Sequence, residues 1–595
     1  MLKTEHKPLI GIAGILCLIF IIFSPALNNQ FTYWDDNKYV IDNPAVRSLS
    51  GENIVKVFTD FLPVARLYSP LTILSYAVEY HFFQLNPQVY IRDNIILHLI
   101  NTFLVFGFIY GLTKNLNISM IVMVLFGIHP MRVESVVWIP ERKDLLYSLF
   151  FLSALLSYLK YYSKDYSRKW FGFTYLFFLL SLISKLAGVI LPVVLLAVDD
   201  YLKKRPFKKC VPEKIPFFAL SLLFGCLACV QKTPMTIDIY SALDRILFGS
   251  FSFVMYFVKA VVPFQLSAYY PYPEKVNGLY PYYYYMAPFL FVLLGGFAWI
   301  KVKANPYLRF GFLFYMSTIF LVLGFIPMSN AIMADHNTYI PYLGLFFMLA
   351  CGLEYWMNKK QPLSLLSLPD VRWILIFYLA FLAVLTVERC RVWKDAQTLW
   401  TDVLMKSPRL TIGYISRGNA FALNREYDKA MNDYNQAITL DPYEFRTYIN
   451  RGYLYYLNEQ FARAIDDYNR SIAIYPKWPI AYLNRGLAYS KNGEVDSAIA
   501  DYTTVLALSP NIAEAHEHRG ELYMRKKEYG KAIEDFSRAL QFDSQARIFF
   551  KRSLAFQAIR DYNNAFENAV KAKDMGYAFE DGEYLNKLKN RLKKN

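Results

Sequence analysis

The sequence predicts an all-α chain made of two unlike parts: a polytopic membrane bundle over residues 1–390 and a soluble α-solenoid over residues 391–595. The first part contains apolar runs of about 17–22 residues, which is the length that crosses a bilayer core as a helix. The second part repeats one pattern at a fixed interval. The 595 residues are 55% hydrophobic, with 48 Tyr and 48 Phe, so this average joins two different compositions.

The repeating pattern lies near the C-terminus and has a period of 34 residues. That period is typical of the tetratricopeptide repeat, a helix-turn-helix unit that stacks into a solenoid. Five units exceed the about three that a stable solenoid needs, and the basic tail caps the last unit. The residues that keep the step are Pro408, Pro442, Pro476 and Pro510; Gly418, Gly452, Gly486 and Gly520; and Ala396, Ala430, Ala464, Ala498 and Ala532.

Polar residues recur beside the glycines of each repeat. Solenoids offer concave surfaces to extended peptides, so these residues are candidates for an acceptor groove. The alternative is that they cap neighbouring helices, and the sequence favours neither interpretation. The residues are Arg417, Asn450, Arg451, Asn484, Arg485 and Arg519, with Asn419 and Arg552 at related positions.

The apolar part predicts ten to twelve membrane-spanning helices and an outer loop over residues 28–92. The first apolar run is interpreted as a retained helix because no small-residue cleavage site follows it. The segments 216–231 and 246–264 cannot both cross fully if the basic loops lie inside, so one of them is expected to be re-entrant or to lie along the membrane interface. The expected spans are 8–27, 93–113, 118–137, 145–162, 170–184, 186–202, 216–231, 246–264, 285–300, 307–326, 340–357 and 371–388.

The net charge of +16 comes largely from short basic loops between the spans, not from a nucleic-acid-binding surface. Lys and Arg mark cytoplasmic loops, which places the N-terminus inside and the repeats outside. Composition favours a bacterial inner membrane with the repeats in the periplasm. The basic residues are Lys3 and Lys7; Lys164, Arg168 and Lys169; Lys203, Lys204, Arg205, Lys208 and Lys209; Lys301, Lys303 and Arg309; and Lys359 and Lys360.

Four turns on the expected outer face carry ionisable residues, which are costly beside a membrane unless they function or are paired. Asp35 or Asp36 follows the first span and is a candidate general base. The alternative is a solvated loop with capped helices. The other turns contribute His129, Glu134, Arg142 and Lys143; Lys185; and Asp335, His336 and Tyr339. Arg and Lys at this level suit a lipid phosphate.

The order and spacing of these turns resemble the integral-membrane glycosyltransferases of the GT-C superfamily that carry tetratricopeptide repeats, the O-mannosyltransferase-like group. The resemblance covers nearly the whole chain. The matching stretches are WDDNKYVIDNP at 34–44, YSPLTILSYAVEYHFFQLNP at 68–87, HLINTFLVF at 98–106, HPMRVESVVWIPERKDLL at 129–146, SKLAGVILPVVLLAVDDY at 184–201, FQLSAYYPYP at 264–273 and ADHNTYIP at 334–341.

The resemblance implies a polyprenyl-phosphate sugar donor and transfer to a hydroxyl acceptor outside the cytoplasm, often a protein Ser or Thr. It implies an acidic role for Asp35 or Asp36 and for Glu134. It also implies a phosphate-binding role for Arg142, Lys143 and Lys185, with His129 nearby. No cofactor is required, and a divalent metal is compatible with the acidic outer residues without being indicated by them.

Two departures from the family pattern bear on this assignment. Relatives usually have Arg after the Asp of the ADHNTYIP-like turn, whereas this chain has His336, a titratable group. Arg66 also precedes Tyr68 where relatives tend to keep an aromatic-Arg-Pro run. Two rival functions remain open at this point: a membrane-anchored repeat scaffold without catalysis, and a transferase or ligase that acts on surface glycans.

Overall fold

The structure is a computed structural model, and it describes residues 7–60, 68–203, 206–231, 240–302, 305–325, 330–358, 371–579 and 583–593. These residues are overwhelmingly helical, and their β-structure is limited to the isolated bridges Tyr270–Met333 and Val276–Leu279. The all-α fold class is therefore confirmed. Lys3, Arg66, Lys204, Arg205, Lys303, Lys359 and Lys360 lie outside the described residues.

The chain divides into two compact units, residues 1–408 and 409–595. The helix over 396–406, expected as half a repeat, belongs to the first unit. Its Trp400 packs edge-on against Trp34 with ring centroids 5.1 Å apart. Its Asp402 forms an ion pair with Arg389, with the nitrogen and oxygen atoms 2.9 Å apart. Aromatic packing and this buried pair join the helix to residues far from the repeats in sequence.

The helices of the first unit follow the predicted apolar runs. They are α1 Lys7–Phe23, α2 Gly51–Thr59, α3 Pro70–Phe83, α4 Pro87–Thr113, α5 Leu116–Ile128, α6 Val133–Val137, α7 Arg142–Ser163, α8 Arg168–Leu182, α9 Leu191–Leu202, α10 Phe207–Glu213, α11 Ile215–Gln231, α12 Ala242–Val261, α13 Tyr282–Val302, α14 Pro306–Ile319, α15 Tyr342–Asn358, α16 Val371–Val392 and α17 Ala396–Lys406.

Among the described residues, four helices are long and apolar enough to cross a membrane: Pro8–Asn28, Pro87–Thr113, Ile139–Ser163 and Arg372–Val392. The expected span over 118–137 is instead two helices, Leu116–Ile128 and Pro130–Val137, with a 59° bend between them. Pro130 cannot continue a helix, and the bend turns Glu134 toward the start of α7. Other expected spans are shorter apolar helices, such as Ile215–Leu227 and Pro306–Val322.

The second unit is a series of antiparallel helix pairs. Its helices are α18 Thr411–Leu423, α19 Tyr427–Leu440, α20 Phe445–Leu457, α21 Phe461–Ile474, α22 Pro479–Asn492, α23 Val495–Leu508, α24 Ala513–Arg525, α25 Tyr529–Phe542, α26 Ala546–Ala558, α27 Tyr562–Asp574 and α28 Tyr584–Leu592. Each unit glycine lies where a ring of the partner helix leaves no space for a side chain. A Cβ on Gly452, for example, would lie 2.8 Å from the Tyr468 ring.

Candidate functional site

Residues from three of the predicted outer turns meet in one buried cluster of charges. His336, in the short 3-10 helix Asp335–Thr338, is hydrogen-bonded through Nδ1 to Glu134 Oε1 at 2.9 Å. Its backbone N–H donates to the other Glu134 oxygen at 3.1 Å. The second ring nitrogen lies 4.0 Å from Glu141. One imidazole therefore lies between two carboxylates that come from a distant part of the sequence.

Two lysines complete the cluster at the start of α7. Lys143 Nζ lies 2.9 Å from Glu141, and Lys185 lies 2.5 Å from Asp144 and 3.5 Å from Glu141. Three acids thus face three basic groups. The acids are Glu134, Glu141 and Asp144, and the basic groups are Lys143, Lys185 and His336. The charges balance, which is the condition under which ionisable side chains tolerate burial.

The pKa of His336 reflects this balance. Burial alone would lower the pKa of the imidazole, because it disfavours the charged form. Glu141 and Glu134 outweigh burial and raise the pKa of His336 to about 9. At neutral pH His336 is therefore a cation, as the Arg that relatives usually carry at this position would be.

The edge of the cluster reaches the surface at a few side chains. Lys185 is 21% exposed and His336 is 18% exposed, whereas Glu134, Glu141 and Asp144 are almost fully buried. An anionic ligand that arrives from outside meets the two cations first. The buried carboxylates then hold those cations in place from behind.

The two aspartates after α1 have different surroundings. Asp36 is buried and accepts hydrogen bonds from the hydroxyl of Thr32 at 2.6 Å and its backbone N–H at 3.2 Å. Burial raises the pKa of Asp36 to about 6. Asp35 is 28% exposed and pairs with the exposed Lys38 at 2.8 Å. Asp36 is thus bound within its own turn, whereas the carboxylate of Asp35 is partly exposed to solvent.

An aromatic stack connects this turn to the cluster. Trp34, directly before Asp35, stacks on Trp138 with ring centroids 4.7 Å apart and an interplanar angle of 19°. Trp138 in turn lies 6.3 Å from the His336 ring. The sequence analysis did not identify this stack. Both tryptophans stand in the quoted motifs, but nothing in their spacing shows that they touch.

Arg142 is placed away from the cluster, although it precedes Lys143. Its guanidinium pairs with Glu79 of α3 and donates to Asn94 Oδ1 and Tyr90 O, each at 2.7 Å. Successive helical residues point about 100° apart, so one side chain enters the core while the next faces the cluster. Glu79 was missed by the sequence analysis, and a lone acid in an apolar helix was the available signal.

Three further predicted site residues also lie in the interior. His129 is fully buried, and its ring packs against Tyr342 and Phe346. Tyr339 is buried, and its hydroxyl is hydrogen-bonded to His98 at 2.7 Å. These two positions do not offer side chains to a lipid phosphate. Asp335 is buried next to the cluster and accepts from the Tyr270 hydroxyl at 2.7 Å.

The spacing of Glu141, Asp144 and His336 would admit a divalent cation, because one ligand atom from each lies within 4.8 Å of the others. Lys143 and Lys185, however, already neutralise the two carboxylates. A cation at this place would have to displace an ammonium group. The side chains present therefore fit an anionic ligand better than a metal ion.

In the repeats, the arginines of the predicted acceptor groove each form the same ion pair with an aspartate of their own unit. Arg451 binds both oxygens of Asp467 through its fork, and Arg485 binds Asp501 in the same way. Arg417 with Asp433 and Arg519 with Asp535 continue the series. These pairs join the two helices of one unit. Asn450 donates to Asn419 at 2.8 Å, and Asn484 is partly buried.

Comparison with known proteins confirms the repeats and gives the chain a set of relatives. A family model described as "TPR repeat" matches residues 418–459 and 452–493, and "Tetratricopeptide repeat" matches 483–547. The solved structure of YrrB, a tetratricopeptide protein, aligns with 33% of this chain and 98% of its own at a TM-score of 0.28 and 20% identity.

Several relatives are named protein O-mannosyl-transferases. The F38B6.6 protein of Caenorhabditis elegans is 24% identical over 463 residues, which is 73% of this chain and 63% of that protein. TMTC3 of Mus musculus is 36% identical over 17% of this chain and 11% of its own length. Tmtc1 of Drosophila melanogaster is 30% identical over 26% and 18% respectively. The chain thus spans less than two thirds of each of these proteins.

The apolar helices and the sequence relatives both indicate a membrane protein. The alignment with the worm protein extends over 73% of the chain, which is more than the repeats occupy, so the similarity includes part of the apolar unit. The chain is therefore a membrane protein with tetratricopeptide repeats, and it is related in sequence to the protein O-mannosyl-transferases.

Proposed function

We propose that this protein is a membrane glycosyltransferase that moves a monosaccharide from a polyprenyl-phosphate donor to a hydroxyl group, on Ser or Thr of an acceptor protein. The observation that carries the proposal is the charge-balanced cluster around His336, whose cations lie at its open edge. Transfer on the extracytoplasmic face of a bacterial inner membrane, with the repeats in the periplasm, is part of the same proposal.

In the proposed reaction the acceptor oxygen attacks the anomeric carbon of the donor sugar. The carboxylate of Asp35 takes the hydroxyl proton, and the bond between the anomeric carbon and the phosphate oxygen breaks. The polyprenyl phosphate leaves with the bonding electron pair. A base at Asp35 is favoured over Asp36 because its carboxylate is exposed, whereas Asp36 is occupied by Thr32.

The leaving phosphate gains negative charge as this bond breaks. Lys185 and His336 lie at the open edge of the cluster, where two cations stabilise that charge more in the transition state than in the ground state. Glu134 holds the His336 ring and keeps it protonated. Lys143 and Glu141 lie behind and fix the position of Lys185.

The repeats support a role in holding the acceptor protein, because solenoids of this type present concave surfaces to extended chains. The arginines that pair within each unit hold that scaffold together. Acceptor contacts are expected from exposed side chains beside them. This division leaves the chemistry to the first unit and acceptor binding to the second.

The test incubates the purified full chain with radiolabelled polyprenyl-phosphate sugars and a Ser/Thr peptide. Transfer of label to the peptide is expected for at least one donor. Asp35→Asn should slow transfer about 10²–10⁴-fold, the usual contribution of a general base. Asp42→Asn, an exposed acid of the same segment, is the matched control and should keep the wild-type rate.

The rival functions predict other results. A scaffold without catalysis consumes none of the donors, in the wild type or in either variant. A glycan-directed transferase uses a donor but labels a saccharide and not the peptide. Transfer at the wild-type rate by Asp35→Asn would remove that residue as the base.

A further inference from the structure

A cavity of about 430 Å³ lies in the first unit, apart from the charge cluster. Its walls come from the end of α12, the segment that follows α12, and the 332–333 segment. The antiparallel bridge between Tyr270 and Met333 holds these last two segments together. Lining residues that matter here are Met255, Val258, Lys259, Val262, Phe264 and Tyr270.

Lys259 is the unusual member of this lining. It is only 4% exposed, and its ammonium group donates to the backbone oxygens of Phe264 at 2.8 Å and Gln265 at 3.3 Å. Within the part of the chain that the structure describes, it forms no ion pair with a carboxylate. The ammonium also lies over the face of the Tyr270 ring, 5.2 Å from its centroid. These contacts are dipolar, so no carboxylate in direct contact balances the buried charge.

The other charged side chains near the cavity do not neutralise the positive charge of Lys259. Lys406, which also lines the cavity, shares the carboxylate of Asp402 with Arg389. Asp335 accepts from the Tyr270 hydroxyl on the far side of the ring that walls the cavity. Lys259, Lys406 and Arg389 therefore outnumber the carboxylates of Asp402 and Asp335 by one.

The rim of the cavity is apolar and faces outward. Val258 is 45% exposed, Val262 is 52% exposed and Phe264 is 66% exposed. Exposed aliphatic and aromatic side chains beside a buried cation are suited to an amphiphile. Its chains can lie along the rim while its headgroup enters the cavity.

We propose that this cavity binds the phosphate headgroup of an anionic glycerophospholipid from the surrounding membrane, with Lys259 as the contact to phosphate. The site is separate from the proposed donor site, because neither Lys185 nor His336 lines the cavity.

The experiment counts lipids bound to the delipidated full chain in neutral detergent by native mass spectrometry. The probes are dioctanoyl phosphatidylglycerol, dioctanoylglycerol, inorganic phosphate and farnesyl phosphate. We expect phosphatidylglycerol to bind and dioctanoylglycerol to bind at least ten-fold more weakly. Inorganic phosphate should compete poorly because it lacks the chains that contact the rim.

Variants assign the binding to this cavity. Lys259→Met should weaken phosphatidylglycerol binding about ten- to a hundred-fold, the usual effect of losing one charge-assisted hydrogen bond. Lys259→Arg should restore most of it. Met255→Trp fills the cavity, keeps the charge, and should also block binding. Lys275→Met, at an exposed lysine outside the lining, should change nothing.

Two results would overturn the proposal. One is unchanged phosphatidylglycerol binding in both Lys259→Met and Met255→Trp, each checked for a wild-type thermal transition. The other is farnesyl phosphate binding ten-fold tighter than phosphatidylglycerol with the same dependence on Lys259, which would assign the cavity to an isoprenoid lipid. Neither readout requires transfer, so the proposed function can fail while this site stands.

Discussion

Ion pairs in the two units differ in the sequence separation of their partners and in whether they recur along the chain. In the repeats, Arg451 and Asp467 are 16 residues apart, and the same pair recurs one repeat later. In the first unit, the contact between Glu134 and His336 spans 202 residues, and no other pair among the residues that the structure describes repeats it. Pairs of the first kind hold adjacent helices together. A single cluster of the second kind brings distant turns to one place.

This difference indicates which ion pairs serve packing and which serve the proposed reaction. A pair that recurs in every repeat serves what every repeat needs, which is the packing of its two helices. The cluster around His336 joins charged groups with no comparable packing requirement, and burying them is costly. Unlike the buried pair of Arg142 and Glu79, this cluster has cations at a partly open edge, which favours a ligand there. Four perturbations break or sharpen this comparison.

The largest expected effect comes from Arg142, a structural exception inside the first unit. Arg142→Met would leave Glu79 buried without its cation, which costs about 3–5 kcal/mol of unfolding free energy. Thermal unfolding in detergent measures this loss, and Glu79→Gln combined with Arg142→Met should recover part of it. If the Arg142→Met variant kept wild-type stability but used the donor poorly, Arg142 would have to be assigned to the donor site.

A smaller effect is expected from Glu134→Gln. The amide cannot hold the imidazolium charge, so His336 loses the partner that fixes and protonates it. Loss of a hydrogen bond to a charged group corresponds to about a ten- to hundred-fold slower transfer. The pH profile should change as well, because the pKa of His336 falls. A slower rate with an unchanged profile would mean that Glu134 acts only on folding.

The repeat arginines should each contribute modestly and alike. Arg451→Met and Arg485→Met are each expected to cost about 1–2 kcal/mol, because each leaves a nearly buried Asp without its guanidinium fork. Chemical denaturation monitored by circular dichroism measures both. Equal losses support a shared structural role, whereas a loss of acceptor binding without a loss of stability would support the groove interpretation.

The mildest perturbation is the replacement of His336 by Arg. His336 is charged below its pKa of about 9, so transfer should fall as pH rises through that value. Arg stays charged throughout this range, so His336→Arg should remove the alkaline fall and leave the rate at pH 7 little changed. Initial rates between pH 6 and 10 test this. An alkaline fall that persists in His336→Arg belongs to another group.

Prediction from sequence succeeded where a pattern repeats. The 34-residue step located the glycines, such as Gly452, and their close approach to a ring follows from the period. The period could not decide whether Arg451 faces a ligand or its own unit. That choice depends on Asp467, whose role becomes visible only when both helices are placed.

In the first unit the sequence identified the turns that form the cluster, but not the direction in which each side chain points. Glu134, Lys143, Lys185 and His336 were identified and do meet. Arg142 was grouped with Lys143 because charge and spacing do not show which side of a helix faces the core. Distant partners such as Glu79 become known only from the packing of α3 on its neighbours.

The central claim is that chemistry belongs to the cluster and not to the repeating pairs. The most direct measurement compares initial rates of sugar transfer from a labelled polyprenyl-phosphate donor to a saturating short peptide. It uses Lys185→Met, Lys275→Met at an exposed lysine outside the cluster, and Arg485→Met, each normalised to folded protein. The account predicts at least a ten-fold loss for Lys185→Met and wild-type rates for the other two. Wild-type transfer by Lys185→Met, or an equal loss in Arg485→Met, would contradict it.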